Sequence, residues 1–228
     1  FNQALQLKPD FTDAYNGRGL TKSMLGNHKG AIEDYNQALQ LKPSFALAYS
    51  NRGLAKFYLK DTKGAMADYT QALQLNPHLA VTYSNRGRLK STLGDHKGAL
   101  ADLNQAVQLS PDVAQFYNDR GLTKLESGDH TGALADFTKA ISLKLDFAKA
   151  YFNRGMAKSA LGSHESAIVD FNNAIRLDPK LTQVYNNRGI EKARTGDSKG
   201  AMADFNHAIQ AKFELAKAYY NQIGRAHV

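Results

Sequence analysis

Cysteine is absent from the 228 residues, which excludes disulfides, thiol catalysis and cysteine metal sites. That absence is compatible with any compartment, so localisation stays unknown, with the cytoplasm as the default. No apolar run approaches the ~18 residues of a membrane span. The formal net charge is +8, yet there is no basic tail or cluster of the kind that forms a nucleic-acid arm. No Gly-rich phosphate loop, GxSxG elbow or HExxH occurs. The sequence therefore reads as a non-enzyme, with no cofactor and no metal implied.

What is present is a repeat. The stretch from Tyr83 to Pro111, YSNRGRLKSTLGDHKGALADLNQAVQLSP, reappears in both directions at one fixed shift, the shift that carries Gly53 to Gly87 and Gly87 to Gly121. Gly87 has further counterparts at Gly19, Gly155 and Gly189; Ala99 has them at Ala31, Ala65, Ala133, Ala167 and Ala201. A strict period without insertions marks an array in which each unit contacts mainly its neighbours. Six full units run 12–45, 46–79, 80–113, 114–147, 148–181 and 182–215, after a half repeat at 1–11. A partial repeat is expected at 216–222, and residues 223–228 leave the register, Ile223 standing where glycine is due. That tail reads as extraneous to the array. Both ends are expected to be cut edges of a longer array, and because the chain opens in mid-repeat a leader sequence is not legible in it.

Each unit predicts two helices. The first follows Pro and a capping residue such as Asp10, Ser44 or Asp112, and ends at Gly26, Gly94, Gly128, Gly162 or Gly196, with Lys60 in the glycine's place once. The second is capped by Asn27, Asp61, Asp95, Asp129, Ser163 or Asp197, and closes before Pro except where Leu145 and Phe213 replace it. Tyr83, Gly87, Ala99, Leu103 and Ala106 fall at helical spacing and mark the buried faces. Such a pair cannot bury its face alone, so the units must stack. The fold expected is all-α, a solenoid of stacked antiparallel helix pairs.

The charge lies in columns. Arg18, Arg52, Arg86, Arg120, Arg154 and Arg188 precede Asp34, Asp68, Asp102, Asp136, Asp170 and Asp204 at the same spacing in every unit. One per helix, they are expected to form ion pairs that bridge the two helices. The Lys22, Lys56, Lys90, Lys124, Lys158 and Lys192 column lies one turn beyond the arginines, where like charges are mildly unfavourable. Its direction stays open. His28, His96, His130 and His164 each follow a cap residue and read as solvated turn residues, since successive turns ~8–10 Å apart cannot share a metal.

The period and the pattern Tyr83-x2-Arg86-Gly87-x2-Lys90, Ala99-x3-Leu103, Ala106, Pro111 resemble the tetratricopeptide repeat, in an array fragment of the bacterial type. Tyr stands where that family usually has Trp, Arg where it has Leu, and Lys where it has Tyr. The resemblance implies a right-handed α/α superhelix that acts as a protein-interaction scaffold, with the first helices lining a concave groove. Some members carry an asparagine ladder there, which would correspond to Asn51, Asn85, Asn153 and Asn187, with Asp119 interrupting it. Such amides suit an extended peptide backbone, while a structural bond to the neighbouring repeat is the competing explanation. Leu54, Arg88, Leu122, Met156 and Ile190 vary one turn on and are the expected specificity positions, with Phe57, Ser91, Leu125, Ser159 and Ala193 beyond them.

The expected partner is a protein or peptide. The alternatives are a nucleic-acid-binding array, disfavoured because each Asp would neutralise its Arg, and an accessory array for a catalytic or membrane domain outside this chain. Self-association through uncapped ends is a further expectation.

Overall fold

In a computed structural model, residues 1, 5, 8 and 10–225 are described, the stretch 212–225 by its backbone alone. The half repeat at 1–11 lies largely outside them, as does the tail from 226. Twelve helices and no strand are present among the described residues. Paired by repeat, they are α1 (Thr12–Met24) with α2 (His28–Leu41), α3 (Ala46–Tyr58) with α4 (Thr62–Leu75), and α5 (Ala80–Thr92) with α6 (His96–Leu109). The pairs continue with α7 (Ala114–Glu126) and α8 (His130–Leu143), α9 (Ala148–Ala160) and α10 (His164–Leu177), and α11 (Thr182–Arg194) and α12 (Ser198–Arg225). Residues 1–112 form one compact unit and 113–228 another. The fold is the all-α superhelical repeat.

The turn inside each pair follows from its residues. Gly26, Gly94, Gly128, Gly162 and Gly196 close the first helices at φ +76 to +89°, a region open to glycine at no steric cost; Lys60 occupies it at φ 66°. Five of the six expected caps on the second helix form. Asn27, Asp61, Asp95, Asp129 and Asp197 each accept from the backbone N–H three residues on, at 2.8–2.9 Å. That third residue is glycine in all five, and a Cβ on Gly64 would lie 2.1 Å from the Asp61 carboxylate. Ser166 takes its place in the fifth repeat, where Ser163 makes no cap bond.

The first helices are capped differently from expectation. Their N-cap residues are Phe11, Phe45, Leu79, Val113, Phe147 and Leu181, with no side-chain cap bond. Phe45 and Leu181 pack instead against the core of the preceding repeat. Full burial of a large apolar side chain contributes ~1.5–3 kcal/mol; these two are half-buried, so their packing is comparable to the ~1 kcal/mol of a typical cap.

Within a pair the helices approach at glycine. A Cβ on Gly53 would come within 2.9 Å of the Tyr69 ring, and one on Gly155 within 2.6 Å of Phe171. In each unit the first helices of successive repeats approach one another closely (α1 with α3, α3 with α5; α7 with α9, α9 with α11), whereas among the described residues no two second helices come as near. The first helices therefore form the inner wall and the second helices the outer.

The turn expected near 212–216 is absent, because α12 continues without a break to Arg225. The sequence AKFELAKA at 211–218 has no Pro, Gly, Asn, Asp or Ser to interrupt it, whereas Asp146 sits in the turn at the other Pro-less junction.

Candidate functional site: the inner wall and its frame

The frame is a three-way ion cluster repeated six times. Arg86 forks onto Asp102, Nε to Oδ2 and Nη2 to Oδ1, both at 2.8 Å. All six Arg–Asp pairs close at 2.5–2.8 Å, and every aspartate side chain is at most 6% exposed. The lysine column joins them, each Nζ lying 2.7–3.0 Å from the second carboxylate oxygen. A buried carboxylate with two cations resolves the like-charge problem that Arg and Lys at i, i+4 pose. Each guanidinium also lies over the tyrosine three residues earlier, 5.2–5.8 Å from the centroids of Tyr15, Tyr49, Tyr83, Tyr117, Tyr151 and Tyr185.

The same arginines reach back one repeat. Arg52 Nη1 donates to Asn36 at 2.7 Å and Arg188 Nη1 to Asn172 at 2.7 Å. Burial pushes the Asp34 carboxyl up, but hydrogen bonds from Arg18 and Lys22 outweigh it and leave the group below the ordinary aspartate range. Asp204 is lowered in the same way by Arg188 and Lys192. Hydrogen bonding to aspartate raises Arg18, Arg52, Arg120 and Arg154 above the usual arginine value, against the opposing effect of burial.

The inner wall carries the ladder column and the variable column on one stripe. Asn51 Nδ2 donates to Asn16 Oδ1 and Asn153 Nδ2 to Asn118 Oδ1, both at 3.0 Å and both into the preceding repeat. Asn187 turns to its own helix, donating to the Gln183 carbonyl at 2.9 Å, and Asn85 is half-buried. Asp119 is 6% exposed and accepts from Gln115 Nε2 at 2.6 Å, so it is not presented as an open acceptor.

One turn on, Leu122 and Ile190 are exposed, as is Arg88; Leu54 is half-buried, and Met156 packs partly on the core around Phe171. Phe57 and Leu125 in the next column turn into core clusters rather than the groove. In the first unit a recess of about 360 Å³ opens on this wall between Leu20, Met24, Leu54, Tyr58 and His28.

The histidines are half-buried joints rather than solvated turn residues. His28 stacks on Tyr58 with centroids 4.7 Å apart and its Nδ1 lies 3.1 Å from Ser23 Oγ. His96 faces Ser91 at 3.5 Å. His164 Nδ1 lies 2.6 Å from Glu191, a carboxylate 2% exposed that also binds Ser159 Oγ and Arg194 Nη1 at 2.9 and 2.8 Å. His130 has Leu125 where the others have serine, and its buried Nδ1 finds no partner among the described residues. A Ser five residues before a His is the sequence signal for this contact. The single Glu in the column Thr21, Ala55, Leu89, Thr123, Ala157 is the signal for the joint at Glu191.

Family models for the tetratricopeptide repeat match residues 46–79, 148–181 and 85–144, and one described as TPR repeat matches 24–60. The chain belongs to the tetratricopeptide repeat family. Among solved structures, PilW, a type IV pilus biogenesis factor, is similar at 19% identity and TM-score 0.81, covering 89% of this chain and 94% of its own. YrrB, a TPR protein with an unusual peptide-binding site, is similar at 22% identity and TM-score 0.63, covering 81% and 95%. MamA from Desulfovibrio magneticus RS-1 is similar at 19% identity and TM-score 0.66, covering 74% and 96%. At these identities the likeness is one of fold. No curated protein matches the sequence. No described helix is long and apolar enough to cross a membrane.

Proposed function

We propose that this tetratricopeptide array is a scaffold that holds an extended peptide, or an extended segment of a protein partner, against the inner wall of its first helices. The observation that carries the reading is the division of labour on those helices. Every Arg and Lys of the repeat columns is engaged with a buried aspartate. The variable column beside them, Leu54, Arg88, Leu122, Met156 and Ile190, differs from repeat to repeat and stays at least partly exposed. A constant frame with a variable lining is the arrangement that selects side chains while backbone hydrogen bonds supply affinity. An amide has two donors and two acceptor lone pairs; a bond to the preceding repeat orients Asn51 and Asn153 and leaves capacity for a peptide.

Nucleic acid is the disfavoured partner, because the basic columns that suggested it are tied into the frame. Selection of a peptide from a random library, followed by binding of Asn51, Asn85, Asn153 and Asn187 all changed to Ala, tests the reading. Binding is expected to weaken by at least tenfold and to respond only mildly to salt, while melting shifts by a few degrees. Undiminished binding, or a steep salt dependence of the kind that phosphate contacts give, would overturn it.

A further inference from the structure

The inner wall of the first unit is graded from apolar to cationic. At its apolar end, the recess of about 360 Å³ has Leu20 and Met24 of α1 on one side and Leu54 and Tyr58 of α3 on the other. His28 stacks on the Tyr58 ring at its edge, and Leu20 and Tyr58 keep 44% and 53% of their surface exposed. One repeat on, the column of Leu20 and Leu54 continues as Arg88 on α5, which is exposed.

The charge on this stretch of wall has one sign. Helices α3 and α5 carry no aspartate or glutamate. Their other cations, Arg52, Lys56, Arg86 and Lys90, are held by Asp68 and Asp102. Arg88 stands outside that frame, and a guanidinium presents its N–H donors as a planar fork that matches a carboxylate. In the second unit the same column is Leu122, Met156 and Ile190, so the step from apolar to cationic belongs to the first unit. First helices packed ~8–10 Å apart put Arg88 roughly 12–15 Å from the middle of the recess, a span of about four residues of extended chain.

We infer that the first unit selects one chemical class of peptide: an extended segment with a large apolar side chain seated between α1 and α3, and an Asp or Glu about four residues away paired with Arg88. This rests on the reading of the inner wall as a peptide groove, and adds what the groove chooses. The apolar side chain is buried against Leu20 and Leu54, where the Tyr58–His28 pair offers ring contact. Met24, unbranched, adjusts to its shape. The carboxylate fixes which part of the peptide lies over α5, so charge sets the register that the apolar contact alone would leave loose.

A random peptide library selected on the full chain tests this. The bound sequences are expected to share an apolar position and an acidic position at that separation. Against a selected peptide, Arg88→Glu should weaken binding by roughly tenfold or more. The same peptide with Lys in place of its acid should bind Arg88→Glu better than it binds wild type. Lys63→Glu, an exposed charge on α4 of the outer wall, should leave affinity unchanged. Selected peptides without such a pair, or an affinity indifferent to Arg88→Glu, would overturn the inference. Leu20→Asp/Leu54→Asp then tells the two failures apart: binding that it removes leaves the groove standing without this selectivity, and binding that survives it removes the groove as well.

Discussion

The inner walls of the two units share one frame and differ in lining. In the first, Leu20, Met24, Leu54 and Tyr58 form an apolar recess, and the joint to the third repeat is made by Leu89 packed on Ala65 and Tyr69. In the second, Glu126, Ala160 and Arg194 occupy the column of Met24 and Tyr58, and the last joint is the polar cluster of Glu191, Ser159, His164 and Arg194. Both linings rest on the same Arg–Lys–Asp clusters. Stacking thus depends on the frame, while inner positions and joints accept apolar or polar solutions.

Breaking the frame should have the largest effect and an equal one in both units. Asp68→Ala and Asp170→Ala each strand an arginine and a lysine beside a buried site, and each is expected to cost about 3–5 kcal/mol in denaturant unfolding. Removing Arg52 together with Asp68, as Arg52→Leu/Asp68→Ala, should cost less than Asp68→Ala alone. A cost confined to one unit would end the claim of a common frame.

Acid probes the same clusters. Asp34 and Asp204 are lowered in the folded protein, so their stabilisation is complete above about 3.9, the ordinary aspartate value. It is lost as pH falls through the lowered folded values. Melting followed from pH 6 downward should be flat until that range and then fall. Asp34→Asn should be less stable than wild type above it and converge with wild type below it.

The joints should respond less, and unequally. Leu89→Ala leaves a cavity in a fully buried site and is expected to cost about 2–5 kcal/mol. Glu191→Ala introduces the residue already found at Ala55 and Ala157, and its partners His164 and Arg194 are 33% and 51% exposed, so they can turn to water. A cost of about 1 kcal/mol is expected. Equal costs would mean that the polar joint is as tightly coupled as the apolar one. Smallest of all, Lys60→Gly should stabilise by about 0.5–1 kcal/mol, because the residue sits at φ 66°.

Periodicity made the fold legible: helix bounds, glycine C-caps and the Arg–Asp pairs all follow from what recurs from one unit to the next. What stayed hidden depends on competition between groups. The third partner of each carboxylate was obscured because Lys at i+4 from Arg looks repulsive until the buried aspartate is seen between them. The caps of the first helices lie one residue past the expected Asp10, Ser44 and Asp112, at Phe11, Phe45 and Val113, and Phe45 packs on the core there. Asp119 looks from the sequence like a break in a surface row, but the fold buries it, and its carboxylate accepts from Gln115 one turn earlier on the same helix. Glu191 was visible as an exception to its column, and only the fold brings Ser159 and His164 to it.

The claim that frame and binding surface are separable is tested most directly by comparing the two walls in one titration. Leu20→Asp/Leu54→Asp alters the inner wall and Val169→Asp/Met202→Asp the outer, where Val169 and Met202 are 57% and 62% exposed. Calorimetric titration with a peptide selected on the wild-type chain should show affinity reduced at least tenfold, about 1.4 kcal/mol, for the inner pair and unchanged for the outer. Affinity lost on the outer wall, or kept on the inner one, would contradict the account.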